Sequence, residues 1–443
     1  MRVLKPIKLF FISILIWLFF YVQMPVEYLY SGSIFFPVFT LFLFSFSFII
    51  GISSLKVRSI NFLEVASNKK LKQIIFILFF IGLIGVLLKI YVGIFNTEIF
   101  TAEDIFEKRL ETMGKELNSG FLGIIASVLF PFAYVTMLMA IYNYKLFSKF
   151  ILFTIIIVGF YPFVETIFMG GRTIIALLGT TFLFVLFASY NKNSNAPVYK
   201  INMKTINLVN LPKILFKKIV FIPLLLITII FTAYSVDVVN KRLTRFGYGD
   251  RTFRVWEQKD YQWVKFDEDF KKEYFRSSEE EKAKLIGYYS LKHYFAHGVV
   301  EYVRLSNQLD KTTGYYYGQY QFNVFFKFFR AFGIPLKSNT EMQSVVERKA
   351  VYKTFFGPFY IDFGLFGIII IFFWGRFVKR VYIHAMNGHT QYVIFYGYLA
   401  TIIITSAFIN FLLGSSSYYL FAFFMVLLLF KFWPNNLVFV MKK

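Results

Sequence analysis

The chain has 443 residues, of which 57% are hydrophobic and 16% charged, against about a quarter charged in ordinary soluble domains. A mean hydropathy of +0.59 excludes a water-soluble globule, since apolar runs recur that each match the about 30 Å hydrocarbon core a helix must cross. With no cysteine there is no disulfide and no thiolate metal site, and four histidines leave little room for a metal centre.

In chain order, the apolar runs predict spans at 7–23, 34–53, 73–95, 121–142, 150–169, 173–190, 219–236, 356–375, 392–412 and 418–433. The first follows Arg2, Lys5 and Lys8, but no small-residue cleavage site succeeds it, so it reads as an uncleaved helix. An inside N-terminus puts 1–6, 54–72, 143–149, 191–218, 376–391 and the C-terminal tail in the cytoplasm. With their flanking span ends these pieces carry 22 Lys and Arg and a single acid, Glu64; everything else carries 26 basic and 24 acidic residues. That partition is the positive-inside rule. The net charge of +23 is therefore an orientation signal and not a nucleic-acid footprint.

The predicted fold is an all-α polytopic membrane protein of about ten transmembrane helices with cytoplasmic termini, set in a bacterial inner membrane. Residues 1–236 hold helices 1 to 7, 237–355 form one large, partly helical periplasmic loop, and 356–443 hold helices 8 to 10. Residues 96–120 read as a short acidic amphipathic helix, and 191–218 as a solvated connector. Inside the large loop, Ser277 and Ser278 before Glu279, Glu280 and Glu281 mark a helix start, continuing to about Leu309. The aromatic stretch Tyr315 to Phe332 belongs in or near the outer membrane interface.

Several constellations could carry chemistry. Gly170-Gly171-Arg172-Thr173 joins two spans through a short outer turn, so Arg172 opens a helix. A cation there opposes the helix dipole at a cost of roughly 0.3–1 kcal/mol. An anion on the unpaired N–H groups would reverse that sign. The alternative is that Arg172 snorkels to lipid phosphate or pairs with Glu165. Glu165 and Asp362 are ionisable groups in or at the end of apolar spans, where a cavity or a partner is expected. Arg242, Arg245, Arg251 and Arg254 cluster at the start of the large loop, suited to diphosphate or to lipid headgroups. Arg330 and Arg348 stand alone later in it. His293 and His297 share a helix face, with no acid to complete a zinc pattern. Tyr315, Tyr316, Tyr317 and Tyr320, interleaved with Gly314 and Gly318, could stack on sugar rings or anchor at the interface. No phosphate loop, dinucleotide-binding glycine pattern or serine nucleophile elbow occurs, which argues against ATP-driven or nucleotide-sugar chemistry.

The Gly-Gly-Arg-Thr turn at 170–173, the large late outer loop and Tyr360-Ile361-Asp362-Phe363-Gly364-Leu365-Phe366-Gly367 together resemble the O-antigen (oligosaccharide repeat unit) polymerases of the Wzy type. Arg109…Gly120 and Arg276…Gly287 fit that family's Arg–ten residues–Gly spacing, although the first outer loop is shorter than in its two-large-loop members. The resemblance implies a metal- and cofactor-independent membrane glycosyltransferase of glycosyltransferase C-like architecture. It would move a growing glycan from undecaprenyl diphosphate onto a new lipid-linked unit. Its partners would be those lipid-linked glycans, membrane lipids and a chain-length-regulating membrane protein, with no nucleic acid. The site it implies has Arg172, Arg242, Arg245, Arg251, Arg254, Arg330 and Arg348 on the diphosphate, Glu165, Asp362 and His293 as acid–base or orienting groups, and the four tyrosines on sugar. An O-antigen ligase or other lipid-carrier glycosyltransferase stays open through His293 or His297, and a polysaccharide transporter or flippase is the non-enzyme alternative.

Overall fold

The computed structural model describes residues 4–55, 67–96, 120–168, 172–192, 233, 250–259, 262–309, 315–338, 341–342 and 351–433. Helix dominates, because lipid offers no partner for backbone N–H and C=O and a helix satisfies them within one segment. In chain order the helices are α1 Pro6–Val22, α2 Phe35–Ser54, α3 Asn68–Tyr91, α4 Gly120–Leu129, α5 Pro131–Tyr142, α6 Lys149–Phe168 and α7 Thr173–Lys192. There follow α8 Asp250–Glu257, α9 Glu268–Arg276, α10 Glu279–Gln308, α11 Asn323–Ala331, α12 Gly357–Phe363, α13 Gly367–Met386, α14 Thr390–Ile404 and α15 Ser417–Phe432. Among the described residues six helical stretches are long and apolar enough to cross a membrane: 35–54, 68–95, 121–142, 149–167, 357–386 and 414–432. Three shorter apolar helices, Pro6–Val22, Thr173–Ser189 and Thr390–Ile404, accompany them. The expected span at 219–236 and the expected helix at 96–120 lie, apart from Asn96, Gly120 and Ala233, outside the described residues.

Close packing rests on small residues at helix crossings, as it must where lipid is as apolar as the side chains. A Cβ on Gly51 of α2 would strike the backbone of Phe372, and one on Gly375 of α13 would strike Phe48. Gly82 and Gly85 of α3 meet the backbone at 129–133, where the span at 121–142 is broken. Pro131 supplies no N–H and begins a new helix, so α4 and α5 are two pieces instead of one continuous rod.

Two further predicted spans depart from a single helix. The run at 356–375 is α12, a short 3-10 turn at Gly364–Phe366, and α13, which continues to Met386. Gly364 has φ +54°, a conformation that ends α12, while Arg376, Lys379 and Arg380 prolong α13 where a cytoplasmic loop was expected. The run at 392–412 ends as helix at Ile404; residues 405–413 are non-helical, and 406–412 are buried. Side chains satisfy the freed backbone: Ser13 Oγ accepts from Ala407 N at 3.0 Å, Asn410 Oδ1 accepts from Leu412 N at 2.8 Å, and Asn410 Nδ2 donates to Phe355 O at 2.9 Å.

The segment after the seventh helix has its own core. Met24, Tyr28, Phe253, Trp256, Val264, Phe266, Tyr274, Ile286 and Tyr289 form a cluster separate from that of the bundle. Strand β1 Val26–Tyr28, between α1 and α2, pairs antiparallel with β2 Val264–Phe266, in the register Val26 to Phe266. The short first loop is thus built into the large one, a contact too brief for sequence periodicity to signal. The 30-residue α10 begins where predicted, with Ser278 and Glu281 forming a reciprocal capping box. Its first turns are solvated; its later turns pack on α1, where Trp17 Nε1 donates to Ala296 O at 3.0 Å, and on Phe408 at Gly298. A helix that starts in water therefore finishes against the bundle.

Candidate functional site

Arg172 caps α7, its carbonyl accepting from Ala176 N at 3.1 Å. Its guanidinium lies 4.3 Å from the ring centre of Tyr294 on α10, and Nη2 donates to the Tyr294 hydroxyl at 2.5 Å. The next residue, Thr173, shares a hydrogen bond with the hydroxyl of Tyr352. The Tyr294 ring stands 6.1 Å from Tyr352 and edge-on to His297 at 5.9 Å. An arginine, two phenols and an imidazole thus meet at the half-buried start of a helix, whose first-turn N–H groups lack intrahelical partners. Stacking on Tyr294 presents the guanidinium plane without neutralising it. Arg172 faces the long helix of the 237–355 segment, not Glu165.

Tyr289, His293 and His297 follow one another at helical spacing on α10, with ring centroids 5.7 Å and 4.7 Å apart. Nδ1 of His297 donates to His293 O at 2.5 Å, which fixes a proton on that nitrogen. His293 is 7% exposed and faces the Tyr28 hydroxyl at 3.4 Å. Burial pushes the Tyr28 phenol far above its ordinary range, so it remains a neutral hydroxyl. The histidines stack like plates and do not converge on one point, an arrangement unlike metal ligation.

Compared with models of protein families, with curated proteins and with solved structures, the chain matches none. The roles of the remaining residues therefore rest on geometry.

Glu165 is engaged in an ion pair with Lys89 of α3 at 3.2 Å, both side chains mostly buried. It ties α6 to α3 and does not join Arg172. Asp362 is fully buried, and its carboxylate accepts from Tyr320 N at 3.0 Å and Gln321 N at 2.7 Å. Its carbonyl takes Tyr317 N as well, at 3.0 Å. Asp362 therefore anchors the turn at 315–322 to the end of α12, which a carboxylate does well with backbone donors. The four tyrosines expected on sugar divide. Tyr316 is a core residue at 3% exposure, Tyr317 is 73% exposed with φ +51°, Tyr315 packs over Gly364, and Tyr320 is partly buried beside Asp362.

Of the expected basic cluster, Arg254 is exposed on α8. Arg251 lies in that helix with its side chain outside the described residues, as are Arg242, Arg245 and Arg348 entirely. Arg330 is turned to its own loop, donating to Lys337 O and Asn323 Oδ1, both at 2.9 Å. Arg254 and Arg330 thus do not join Arg172.

Sequence reasoning missed Tyr294, Tyr352, Glu301 and Arg304. The last two form a buried pair at 2.7 Å, side chains 2% and 1% exposed. Their spacing on α10, three apart and in phase with the apolar face, was the available signal.

Proposed function

We propose that this chain is a membrane glycosyltransferase that polymerises undecaprenyl-diphosphate-linked repeat units at the periplasmic face of a bacterial inner membrane. The observation that carries the reading is the Arg172 guanidinium, held on Tyr294 at a helix start and turned toward the segment expected to face the periplasm. In the transfer, the bond between the first sugar carbon of the donor glycan and its phosphate oxygen breaks. The electron pair leaves on the diphosphate, an acceptor sugar hydroxyl bonds to the carbon, and its proton passes to a base. Arg172 and the N–H groups of α7 stabilise the charge added to the leaving diphosphate more than they stabilise the less negative diphosphate diester of the ground state. His297, edge-on to Tyr294, is the acid–base group of this cluster. The chemistry supplies its own leaving group and calls for no nucleotide.

The test is the surface glycan of cells carrying Arg172→Ala, with the protein level followed in parallel. The expected pattern is single repeats with the long ladder abolished, and partial recovery in Arg172→Lys. A normal ladder rejects the reading. His297 beside the Arg172 cluster favours a second reading, an O-antigen ligase relying on a loop histidine, and the same gel separates them: loss of all transferred glycan, single repeats included, indicates a ligase.

A further inference from the structure

Helix α11, Asn323–Ala331, has an apolar side and a polar side. Phe325, Phe329 and Phe332 follow one another at helical spacing and share the first; Asn323, Lys327 and Arg330 share the second. The apolar side begins packed and ends exposed. At its base Phe325 stands 6.1 Å from Phe421, a few residues inside the span at 414–432. The helix also rests on the 3-10 turn Gly414–Ser416 that opens that span. Further along, Phe329 and Phe332 are 46% and 65% exposed.

The end of the helix fixes this exposure. Gly333, at φ +79°, donates its N–H to Arg330 O at 2.9 Å, and Ile334 N donates to Phe329 O at 3.3 Å. Those two bonds make a left-handed C-terminal cap, which carries Ile334 back to the side of Phe329. Ile334 is itself 45% exposed. On the polar side Arg330 ties the returning chain down, donating to Lys337 O and Asn323 Oδ1, both at 2.9 Å. The apolar tip is therefore held outward by bonds made behind it.

A short helix with exposed aromatic side chains and a cationic back suits the boundary between hydrocarbon and water. Facing water, the tip would be an apolar patch on a chain whose adjoining element is a membrane span. Laid along a bilayer, the same side chains enter the acyl region. Lys327 then reaches the phosphates, as does Lys337, which lies 4.4 Å from the Tyr316 ring centre and keeps its charge there.

We propose that residues 323–337 form a lipid-docking prong. α11 lies along the bilayer surface beside the start of α15, with Phe329, Phe332 and Ile334 among the acyl chains and Lys327 and Lys337 on headgroup phosphates. Two features name lipid as the occupant. The base of the prong continues the surface of a span, and the tip is bordered by cations, with no acid between Asn323 and Lys337.

The test exploits a chain without natural cysteine. Phe329→Cys, Ile334→Cys and Lys327→Cys each carry a bimane dye on the full-length protein in lipid nanodiscs. Lys284→Cys, at a 70% exposed side chain in the first turns of α10, is the aqueous reference. Lipids brominated on their acyl chains quench from the bilayer, and iodide quenches from water. Acyl quenching is expected to be several-fold stronger at 329 and 334 than at 284, with iodide ranking the sites in reverse and reaching 327 more readily than 329. If 329 and 334 behave like 284, the docking is overturned. Protection of 329 from both quenchers, with Phe329→Cys chains cross-linking to one another, gives the tip to a second copy and overturns it too. Should the dye-labelled variants not fold, the unaltered chain answers the same question. Phospholipid with a diazirine on its acyl chain is expected to label 323–337 on irradiation, and label confined to the spans rejects the prong.

Discussion

Arg304 donates to Leu29 O and Gln262 O at 2.9 Å, to Trp263 O at 2.5 Å and to Glu301 at 2.7 Å, at 1% exposure. The cost of burying the guanidinium is offset because a carboxylate and three carbonyls accept hydrogen bonds from it, and because Tyr28, Tyr30 and Trp263 surround it. Removing one partner leaves the other charge buried. Arg304→Met is therefore expected to destabilise by about 3–5 kcal/mol, read as a fall in melting temperature of the detergent-extracted protein. An unchanged melting temperature would show that the pair is not buried. The Lys89–Glu165 bridge makes a different forecast: Lys89→Glu places two carboxylates together and lowers the amount of folded protein, and adding Glu165→Lys restores it. If the double exchange stays as poor as the single one, the pairing is wrong. The three-residue spacing of Glu301 and Arg304 was a local signal, but the carbonyls that Arg304 also meets lie far along the chain, and Lys89 sits about 76 residues from its acid, beyond any local pattern.

Helices were the most readable level, for a physical reason: apolar length and end chemistry are local. The start of α10 at Ser278 was visible because a serine acceptor, three acids and the positive helix end coincide within four residues. Ser278→Ala is expected to cost about 1 kcal/mol and to speed hydrogen exchange only in the first turn of α10; protection unchanged there would deny the cap any part. Hidden from view were the places where a run of apolar residues is not one helix. Ile404 to Leu413 is as apolar as a span should be, yet Asn410 and Ser406 exchange helical bonds for bonds to Leu412, Phe355 and Ser13. Such bonds depend on distant residues, so composition cannot report them. The crossings are equally non-local. Gly85→Leu should drive α3 off the break at 129–133 and yield aggregated extract on size-exclusion chromatography, whereas Gly388→Ala, at a turn with open space, costs only the strain of its φ of +84°. A monodisperse Gly85→Leu protein would refute that crossing. Of the candidate site, the place of Arg172 at a helix start was legible from its glycine turn; Tyr294 and Tyr352 were two among 30 tyrosines with nothing local to distinguish them.

At the scale of the molecule, the strand pair joins residues 26–28 to 264–266, with Glu27 opposite Lys265. Because the natural chain has no cysteine, E27C/K265C is a clean test. The double variant is expected to form a disulfide under mild oxidation and each single variant none; a double variant that stays reduced removes the sheet. An impermeant thiol reagent applied to either single variant in intact cells reports which side the pair occupies, and labelling from outside is the expected result.

Those same contacts impose an order on biogenesis. Leu4 accepts from Tyr396, Ser13 from Ala407, and Trp17 donates to Ala296, so α1 is synthesised 279 to 394 residues ahead of these partners. It must wait in the bilayer, half-coordinated, until most of the polypeptide has been inserted. Nascent chains stopped short of residue 407 would then keep α1 open to proteolysis or to a holding chaperone, however well their individual helices have threaded the membrane.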